Sequence, residues 1–300
     1  MSVLTRSRAQ DVVLRRPPLT VGRVALHGFL LATSLMFLFP LLWAMFNSFR
    51  DYGYTLDHGY MSFGGFTMDN YLNAWRQGGF GQSFTNSLII TLSAVVLTLA
   101  LSSCMAFVLA RFSFKFNLTL LAVFVAANLL PPQSLLIPIY RMFRMVELPE
   151  WLNSSGTLLN SHLAVILVNT AFQTGFCTFV LSNYMKTIPK EIYEAAEVDG
   201  ASVWRQFWGI TLPLCRTSLA ALATLETAWI YNEFFWATVL LQSGDKFPVT
   251  SSLNNLKGSF FTDYNLLSAG SVLAALPVLL VFFVLQRQFV SGLTMGATKG

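Results

Sequence analysis

Six long apolar runs dominate this sequence of 300 residues, and they restrict its fold more than any other feature. The runs lie at about 24–46, 86–110, 118–140, 162–183, 217–241 and 268–289. Because about 20 apolar residues in a helix cover the roughly 30 Å hydrocarbon core of a bilayer, each run predicts a membrane-spanning helix. The sequence therefore predicts an all-α polytopic protein with six transmembrane helices in the lipid bilayer of a cell membrane.

The composition excludes an ordinary soluble domain of this size. Hydrophobic residues make up 54% of the chain and charged residues only 11%, with a mean hydropathy of +0.57. The net charge of +5 does not indicate nucleic-acid binding, because the basic residues form no stripe with interleaved aromatic residues. Cys104, Cys177 and Cys215 lack the spacing of metal ligands, and they predict neither a disulfide framework nor a metal site.

Residues 1–23 form a basic tail with several arginines and two adjacent prolines, and we expect this tail to stay in the cytoplasm. The apolar run that follows has the competing interpretation of a cleaved signal peptide. It exceeds the usual apolar region of such a peptide, and no small-residue cleavage site follows it. We therefore interpret 24–289 as a six-helix transmembrane domain and 290–300 as a C-terminal cytoplasmic tail.

The distribution of Lys and Arg predicts that both termini are cytoplasmic. With the termini inside, Arg111, Lys115 and the basic residues of 184–216 join the arginines of the tail on the cytoplasmic side. Fewer basic residues, Arg50 and Lys246 among them, then lie outside. This asymmetry follows the positive-inside rule and places the loop 184–216 in the cytoplasm.

The segment 47–85 between the first two runs is polar, glycine-rich and aromatic. Its stretch 66–75, FTMDNYLNAW, predicts an amphipathic segment on the outer surface of the membrane. Tyrosine and tryptophan side chains suit such an interface because they combine an apolar ring with a polar group.

The loop 184–216 is the longest charged stretch in the sequence, and it predicts a helix, a turn and a second helix. Pro189 suits a first helical turn, so we expect the first helix to start one or two residues before it. Gly200 supplies a stop where a left-handed residue is needed. Ser202 is a candidate cap for the second helix, and Pro213 is expected to halt it.

The first helix of this loop carries a face suited to a partner. Glu191, Glu194 and Glu197 recur every three residues, so they share one broad face that calls for a basic partner. Ala195 and Ala196 are small enough to let another surface approach the backbone closely. The alternative interpretation is a solvated linker helix, as most charged stretches are.

The third apolar run is interrupted at 129–140, LLPPQSLLIPIY. Pro131, Pro132 and Pro138 cannot continue a regular hydrogen-bond ladder. One interpretation is a kink beside a solute path, since broken backbone at membrane depth must be buried in protein or line a cavity. The other is a helix that ends early, with Pro131 near the outer boundary.

The fifth run carries two acids and two tryptophans at helical spacing. Glu226, Trp229, Glu233 and Trp236 are separated by three, four and three positions, which predicts that they line one helix face. Intramembrane acids are costly and should face protein or water. Carboxylates accept hydroxyl hydrogen bonds and indoles stack on sugar rings, so this face is a candidate solute pathway. The alternative is that the acids bond to neighbouring helices while the tryptophans pack.

The chain lacks the motifs of an enzyme or an ATPase. It contains no GxxxxGK[ST] loop, no nucleophile elbow, no HExxH helix and no extramembrane segment long enough for a catalytic domain. We therefore predict that this chain is not an enzyme and binds no cofactor, and that an ATP-driven machine would need a separate nucleotide-binding chain.

The spacing in the charged loop resembles the EAA loop of ABC importer permeases. Four stretches carry the wider resemblance to the permease subunits of carbohydrate-uptake importers of the maltose type: the loop, NSLIIT at 86–91, YNEFFW at 231–236 and FVSGLTMGATKG at 289–300. Tyr231 departs from the tryptophan usual in that family, and Gly175 stands where a proline is often found.

This resemblance implies a type I ABC importer permease bundle in the cell membrane of a prokaryote, with alternating access as its mechanism. It implies that 194–200 is a coupling helix that docks in a cleft of an ATPase. The residues that it assigns to ATPase coupling are Glu194, Ala195, Ala196, Asp199, Gly200, Ile210, Leu212 and Pro213. It also implies two ATPase subunits carrying ATP and Mg, a second homologous permease and an extracytoplasmic binding protein that delivers a sugar or related polyol.

A transporter of another class remains the alternative. A self-sufficient proton-coupled secondary transporter would use Glu226 and Glu233 as proton relays. Such folds often contain two related halves, and 24–140 shows no convincing repeat in 162–289.

Overall fold

The computed structural model describes residues 20–258 and 261–294, with side chains as far as residue 283 in the last helix. The first half of the chain forms α1 (Val21–Ser48), α2 (Tyr52–His58), α3 (Asp69–Gln77), α4 (Phe80–Arg111), α5 (Asn117–Asn128), α6 (Leu136–Met145) and α7 (His162–Met185). The second half forms α8 (Lys190–Val198), α9 (Val203–Gln206), α10 (Leu212–Leu214), α11 (Arg216–Tyr231), α12 (Phe235–Leu240), α13 (Val249–Ser252) and α14 (Tyr264–Thr294). Every named element in these described residues is helical, which confirms the all-α prediction.

The chain divides into two compact units, the first ending at Phe46 and the second beginning at Asn47. The described part of the first unit consists almost entirely of α1, whose last two residues belong to the second unit. α1 contains the predicted first span, with Pro40 inside the helix. Residues 1–19 of the predicted basic tail and 295–300 of the predicted C-terminal tail lie outside the described residues. α14 continues to Thr294, so the first residues of the predicted C-terminal tail are helical.

The core of the second unit is built on the long helix α4. α4 packs mainly against α7, while α11 contacts α4 and α14, and α5 lies against α7. Three apolar clusters follow α4 from Phe80 at its first turn, through Ile90 and Ala94, to Phe107 near its end. α4 therefore contributes to the apolar packing along the whole length of the unit.

The close approach of α5 to α7 depends on Gly175. A Cβ atom at this position would lie 2.7 Å from the carbonyl oxygen of Phe124 and 2.6 Å from Asn128 Nδ2. Small residues allow membrane helices to pack backbone to backbone in this way. Gly175, which stands where the family often has a proline, thus allows α5 and α7 to pack closely.

The predicted outer segment 47–85 packs against α4 and α14 at one end of the second unit. Arg50 is fully buried there and donates to the carbonyl oxygens of Tyr60 at 2.7 Å and Gly59 at 3.2 Å. At the same end, the predicted outer segment contains α3, which buries Asn70 and Ala74 against the rest of the unit. α3 is therefore amphipathic as predicted, and its buried face packs on the protein.

The third predicted span is a bent pair of helices. α5 ends at Asn128, a short 3-10 turn covers Pro132–Leu135, and α6 leaves at an angle of 95°. The interruption at the proline pair is as predicted. Pro138, however, lies in the first turn of α6 and continues that helix, because no backbone donor is needed there.

The fifth predicted span is also divided, which corrects the continuous helix expected from its apolar run. α11 ends at Tyr231 and α12 begins at Phe235. Within the described residues, α1, α4, α7 and α14 are long and apolar enough to cross a membrane, and the bent pair of α5 and α6 would make a fifth span. The count of six spans remains a prediction.

Candidate functional site

The charged loop folds into the predicted helix, turn and helix. α8 begins directly after Pro189, slightly later than predicted, because Pro189 itself has an extended backbone. Gly200 has a φ of 74°, a left-handed conformation that side chains with a Cβ rarely adopt, and it follows the end of α8 as predicted. The Ser202 hydroxyl caps α9 by accepting a hydrogen bond from the backbone N–H of Arg205 at 3.3 Å.

Pro213 does not halt the second short helix, which corrects the prediction. The helical path continues from α9 through a π turn at Phe207–Thr211 into α10, which contains Pro213. Pro213 is tolerated because it directly follows the π turn, where the regular bonding between residues four apart, which a proline would interrupt, is already absent. The Thr211 hydroxyl donates to the Gln206 carbonyl oxygen at 3.1 Å and so spans the widened turn.

α8 presents one face to the protein and the other outward. Tyr193 and Ala196 are buried, whereas Glu194, Ala195 and Asp199 are exposed. The expectation that both alanines face a partner therefore needs correction, since the chain itself covers Ala196. The small side chain next to the exposed Glu194 is Ala195.

One acid of the predicted acidic face has its basic partner within this chain. Arg111 Nη2 donates to Glu197 Oε1 at 2.5 Å, and Arg111 Cζ lies 4.9 Å from the centroid of the Tyr193 ring. From the sequence, Arg111 contributes only a positive charge to the predicted membrane topology. Its position directly after the second apolar run, on the side predicted for the loop, is the sequence signal that indicates such a contact.

An apolar cluster holds the loop against the bundle. The Phe107 ring lies 6.5 Å from the Tyr193 ring and 5.3 Å from the Phe207 ring, centroid to centroid. Ile210 and Leu212 pack against this cluster, which gives the last part of the motif a structural role. The Tyr193 hydroxyl lies 3.0 Å from Thr211 Oγ1, and it is the donor because the Thr211 hydrogen goes to the Gln206 carbonyl oxygen. Burial raises the pKa of the Tyr193 hydroxyl.

The four solute-pathway candidates do not lie on one continuous helix face, because the chain breaks between α11 and α12. On α11, Glu226 is fully buried and accepts a hydrogen bond from Cys177 Sγ at 3.1 Å. Trp229 is 45% exposed, and its ring lies 5.3 Å from that of Phe176. Trp229 is thus the most accessible of these candidates.

The other two candidates stabilise the break between α11 and α12. The Glu233 carboxylate accepts hydrogen bonds from the backbone N–H groups of Trp236 at 2.6 Å and Ala237 at 3.1 Å, so it caps α12. Trp236 is buried, with its ring 5.7 Å from that of Phe172. Tyr231, at the end of α11, donates to the Ala274 carbonyl oxygen at 3.0 Å.

Comparison with known proteins identifies the family. The family model described as "Binding-protein-dependent transport system inner membrane component" matches residues 99–294. The diacetylchitobiose uptake system permease protein NgcG of Streptomyces coelicolor is 31% identical over 91% of this chain and 88% of its own length. The melibiose/raffinose/stachyose import permease protein MelC of Bacillus subtilis is 31% identical over 77% of this chain and 80% of its own.

Solved structures agree on the fold. A chain of a bacterial ABC transporter involved in the import of the acidic polysaccharide alginate superimposes with a TM-score of 0.73. The match is 20% identical and covers 91% of this chain and 99% of that one. These matches, together with the loop geometry, show that this chain belongs to the family of binding-protein-dependent transport system inner membrane components.

Proposed function

We propose that this chain is the membrane-spanning permease subunit of an ATP-driven importer that carries a sugar, oligosaccharide or related polyol across a prokaryotic cell membrane. The observation that carries the proposal is α8, whose exposed Glu194 and Ala195 lie on a helix that contacts the rest of the chain through Tyr193 and Arg111. The names of NgcG and MelC support a carbohydrate as the transported solute. The subunit acts in transport and is not itself an enzyme.

The proposed importer needs partner chains, because this sequence contains no ATP-binding motif. Two ATPase subunits bind ATP and Mg and receive α8, a second homologous permease completes the pathway, and an extracytoplasmic protein delivers the solute. A solved alginate transporter in complex with its solute-bound periplasmic protein has a similar chain, with a TM-score of 0.63. That likeness supports a binding protein as one of the partners.

The proposed mechanism is alternating access driven through the charged loop. Closure of the ATPases moves α8, and the apolar cluster around Phe107 and Phe207 carries this movement into the bundle. Packed interfaces respond to such a push by moving between discrete arrangements. The solute then passes from the binding protein through the bundle to the cytoplasm without covalent chemistry.

For the solute pathway, we propose Trp229 as the residue that meets the sugar. Its exposed indole offers an apolar face to the C–H side of a sugar ring. Glu233 and Trp236 shape the pathway by fixing the break after α11, while Glu226 takes part only if the helices that cover it separate during transport.

The test is isolation of the complex followed by reconstitution. An N-terminal tag on this chain is used to recover its partners from gently solubilised membranes, and mass spectrometry identifies them. We expect an ATPase, a second permease and a binding protein, and ATP-dependent uptake of labelled oligosaccharides in liposomes. Uptake by the chain alone, abolished by a protonophore and indifferent to ATP, would instead establish the secondary transporter.

A further inference from the structure

Arg111 joins the end of α4 to two points on α8. Its guanidinium bonds to the Glu197 carboxylate and lies over the Tyr193 ring. Tyr193 and Glu197 are four residues apart, so they lie on the same side of α8. A single cation that contacts two successive turns restricts the rotation of α8 about its axis as well as its distance from α4.

Tyr193 extends this connection toward α11. Its hydroxyl donates to Thr211 Oγ1 at 3.0 Å, and Thr211 Oγ1 donates to the Gln206 carbonyl oxygen at 3.1 Å. Gln206 directly precedes the π turn at Phe207–Thr211 and Thr211 ends it, and this turn leads through α10 into α11. The contacts therefore run without a gap from α4, through α8, to the segment that precedes α11.

Glu194 and Glu197 of α8 have different surroundings, and we therefore assign them different roles. Glu197 has an internal partner, and its side chain is 54% exposed beside an Arg111 side chain that is 20% exposed. The Glu194 side chain is exposed, and among the described residues it forms no side-chain hydrogen bond or ion pair. Of these two acids, Glu194 is thus suited to an external partner, whereas Glu197 belongs to the support of the helix.

We propose that Arg111 is a positioning residue that fixes the orientation of α8 through Glu197 and Tyr193, so that ATPase movement reaches α11 through Thr211. This inference rests on the proposed function. Without Arg111, α8 still docks on the ATPase through its exposed residues, but it turns against α4 and does not push the bundle. The complex then hydrolyses ATP with little transport.

The experiment measures the solute transported per ATP hydrolysed by the reconstituted complex. We expect this ratio to fall by about three- to tenfold in Arg111→Ala, which loses both the ion pair and the cation–π contact, and by a smaller factor in Glu197→Ala, which loses only the ion pair. Assembly with the ATPase should persist in both. The exchange Arg111→Glu with Glu197→Arg should restore part of the ratio, which a general loss of packing would not allow.

Two further variants sharpen the test. Tyr193→Phe keeps the ring under Arg111 and removes only the bond to Thr211, so we expect a lower ratio with normal assembly. Lys115→Ala is the matched control, because it removes an exposed positive charge from the same end of the bundle. We expect it to leave the ratio unchanged.

The outcomes separate the two proposals. A ratio in Arg111→Ala equal to that of Lys115→Ala would overturn the positioning role. If Arg111→Ala does not assemble, the milder Glu197→Gln decides, and an unchanged ratio in that variant would also overturn it. If the wild-type complex itself shows no ATP-dependent uptake, the proposed function fails rather than the inference built on it.

Discussion

The side-chain amide of Asn86 donates to the carbonyl oxygen of Asp245 at 2.8 Å, across 159 positions of sequence. The same amide donates to the Phe247 carbonyl oxygen at 3.1 Å, and the Ser87 hydroxyl accepts from the Val249 N–H at 2.8 Å. The family-like NSLIIT stretch thus ties the first turns of α4 to the segment that precedes α13. This gives two polar residues of that stretch a physical role.

Replacing Asn86 should loosen this end of the bundle. In Asn86→Ala two carbonyl oxygens lose a buried donor, so we expect the free energy of unfolding to fall by about 1–3 kcal/mol. Thermal unfolding of the purified chain in detergent measures the change. Asn73→Ala, at an exposed position of α3, is the control and should shift the midpoint little. Equal midpoints for the two variants would contradict the structural role.

Gly175→Ala should separate α5 from α7. The added Cβ meets the backbone oxygen of Phe124 at 2.7 Å, and backbone cannot move aside as a flexible side chain does. We expect a destabilisation of about 1–3 kcal/mol, as in other overpacked sites. Gly81→Ala in α4 is the control, since its nearest neighbour would be Trp75 at 3.8 Å. A Gly175→Ala protein as stable as the control would refute the close approach.

Gly200→Ala should disturb the turn after α8. With a φ of 74°, the new Cβ costs about 1–2 kcal/mol, although there is open space around it. We expect reduced ATPase recovery and uptake in membranes that contain normal amounts of the chain. Gly200→Asn should come closer to the wild type, because Asn tolerates this conformation better. If Ala and Asn behave alike, conformation is not the reason for glycine here.

Glu194→Lys should detach or uncouple the ATPase while the chain still inserts and folds. The side chain is exposed on α8, so reversing its charge changes the docking surface and little else. Co-purification of the ATPase with the tagged chain provides the measurement. Glu150→Lys, an exposed acid outside the loop, serves as the control. Normal recovery and uptake with Glu194→Lys would count against the docking role.

The two tryptophans after Glu226 should respond differently to truncation. Trp229→Ala removes an exposed ring, so we expect altered KM or solute preference with near-normal stability. Trp236→Ala empties a buried site and should lower stability by about 3–5 kcal/mol. Uptake kinetics and thermal unfolding of both variants make the comparison. Unchanged kinetics in Trp229→Ala would assign that side chain to packing.

The sequence determined the features that depend on neighbouring residues. Apolar runs of sufficient length predicted the long helices, and Gly200 and Ser202 marked the turn of the charged loop, because backbone preferences and caps act within a few residues. The EAA-like spacing indicated the family for the same reason, since it lies within one continuous stretch. The proline pair predicted the break in the third span, whereas the 95° angle between α5 and α6 could not be predicted from the sequence.

Only the tertiary structure decided which side chains face one another. The break between α11 and α12 removes the helix face that the spacing of Glu226 to Trp236 predicted, because Glu233 caps a new helix instead of extending the old one. The partner of Glu197 is Arg111, 86 positions away, and spacing along one helix carries no information about a side chain on another. Burial and pairing of this kind arise when distant helices pack.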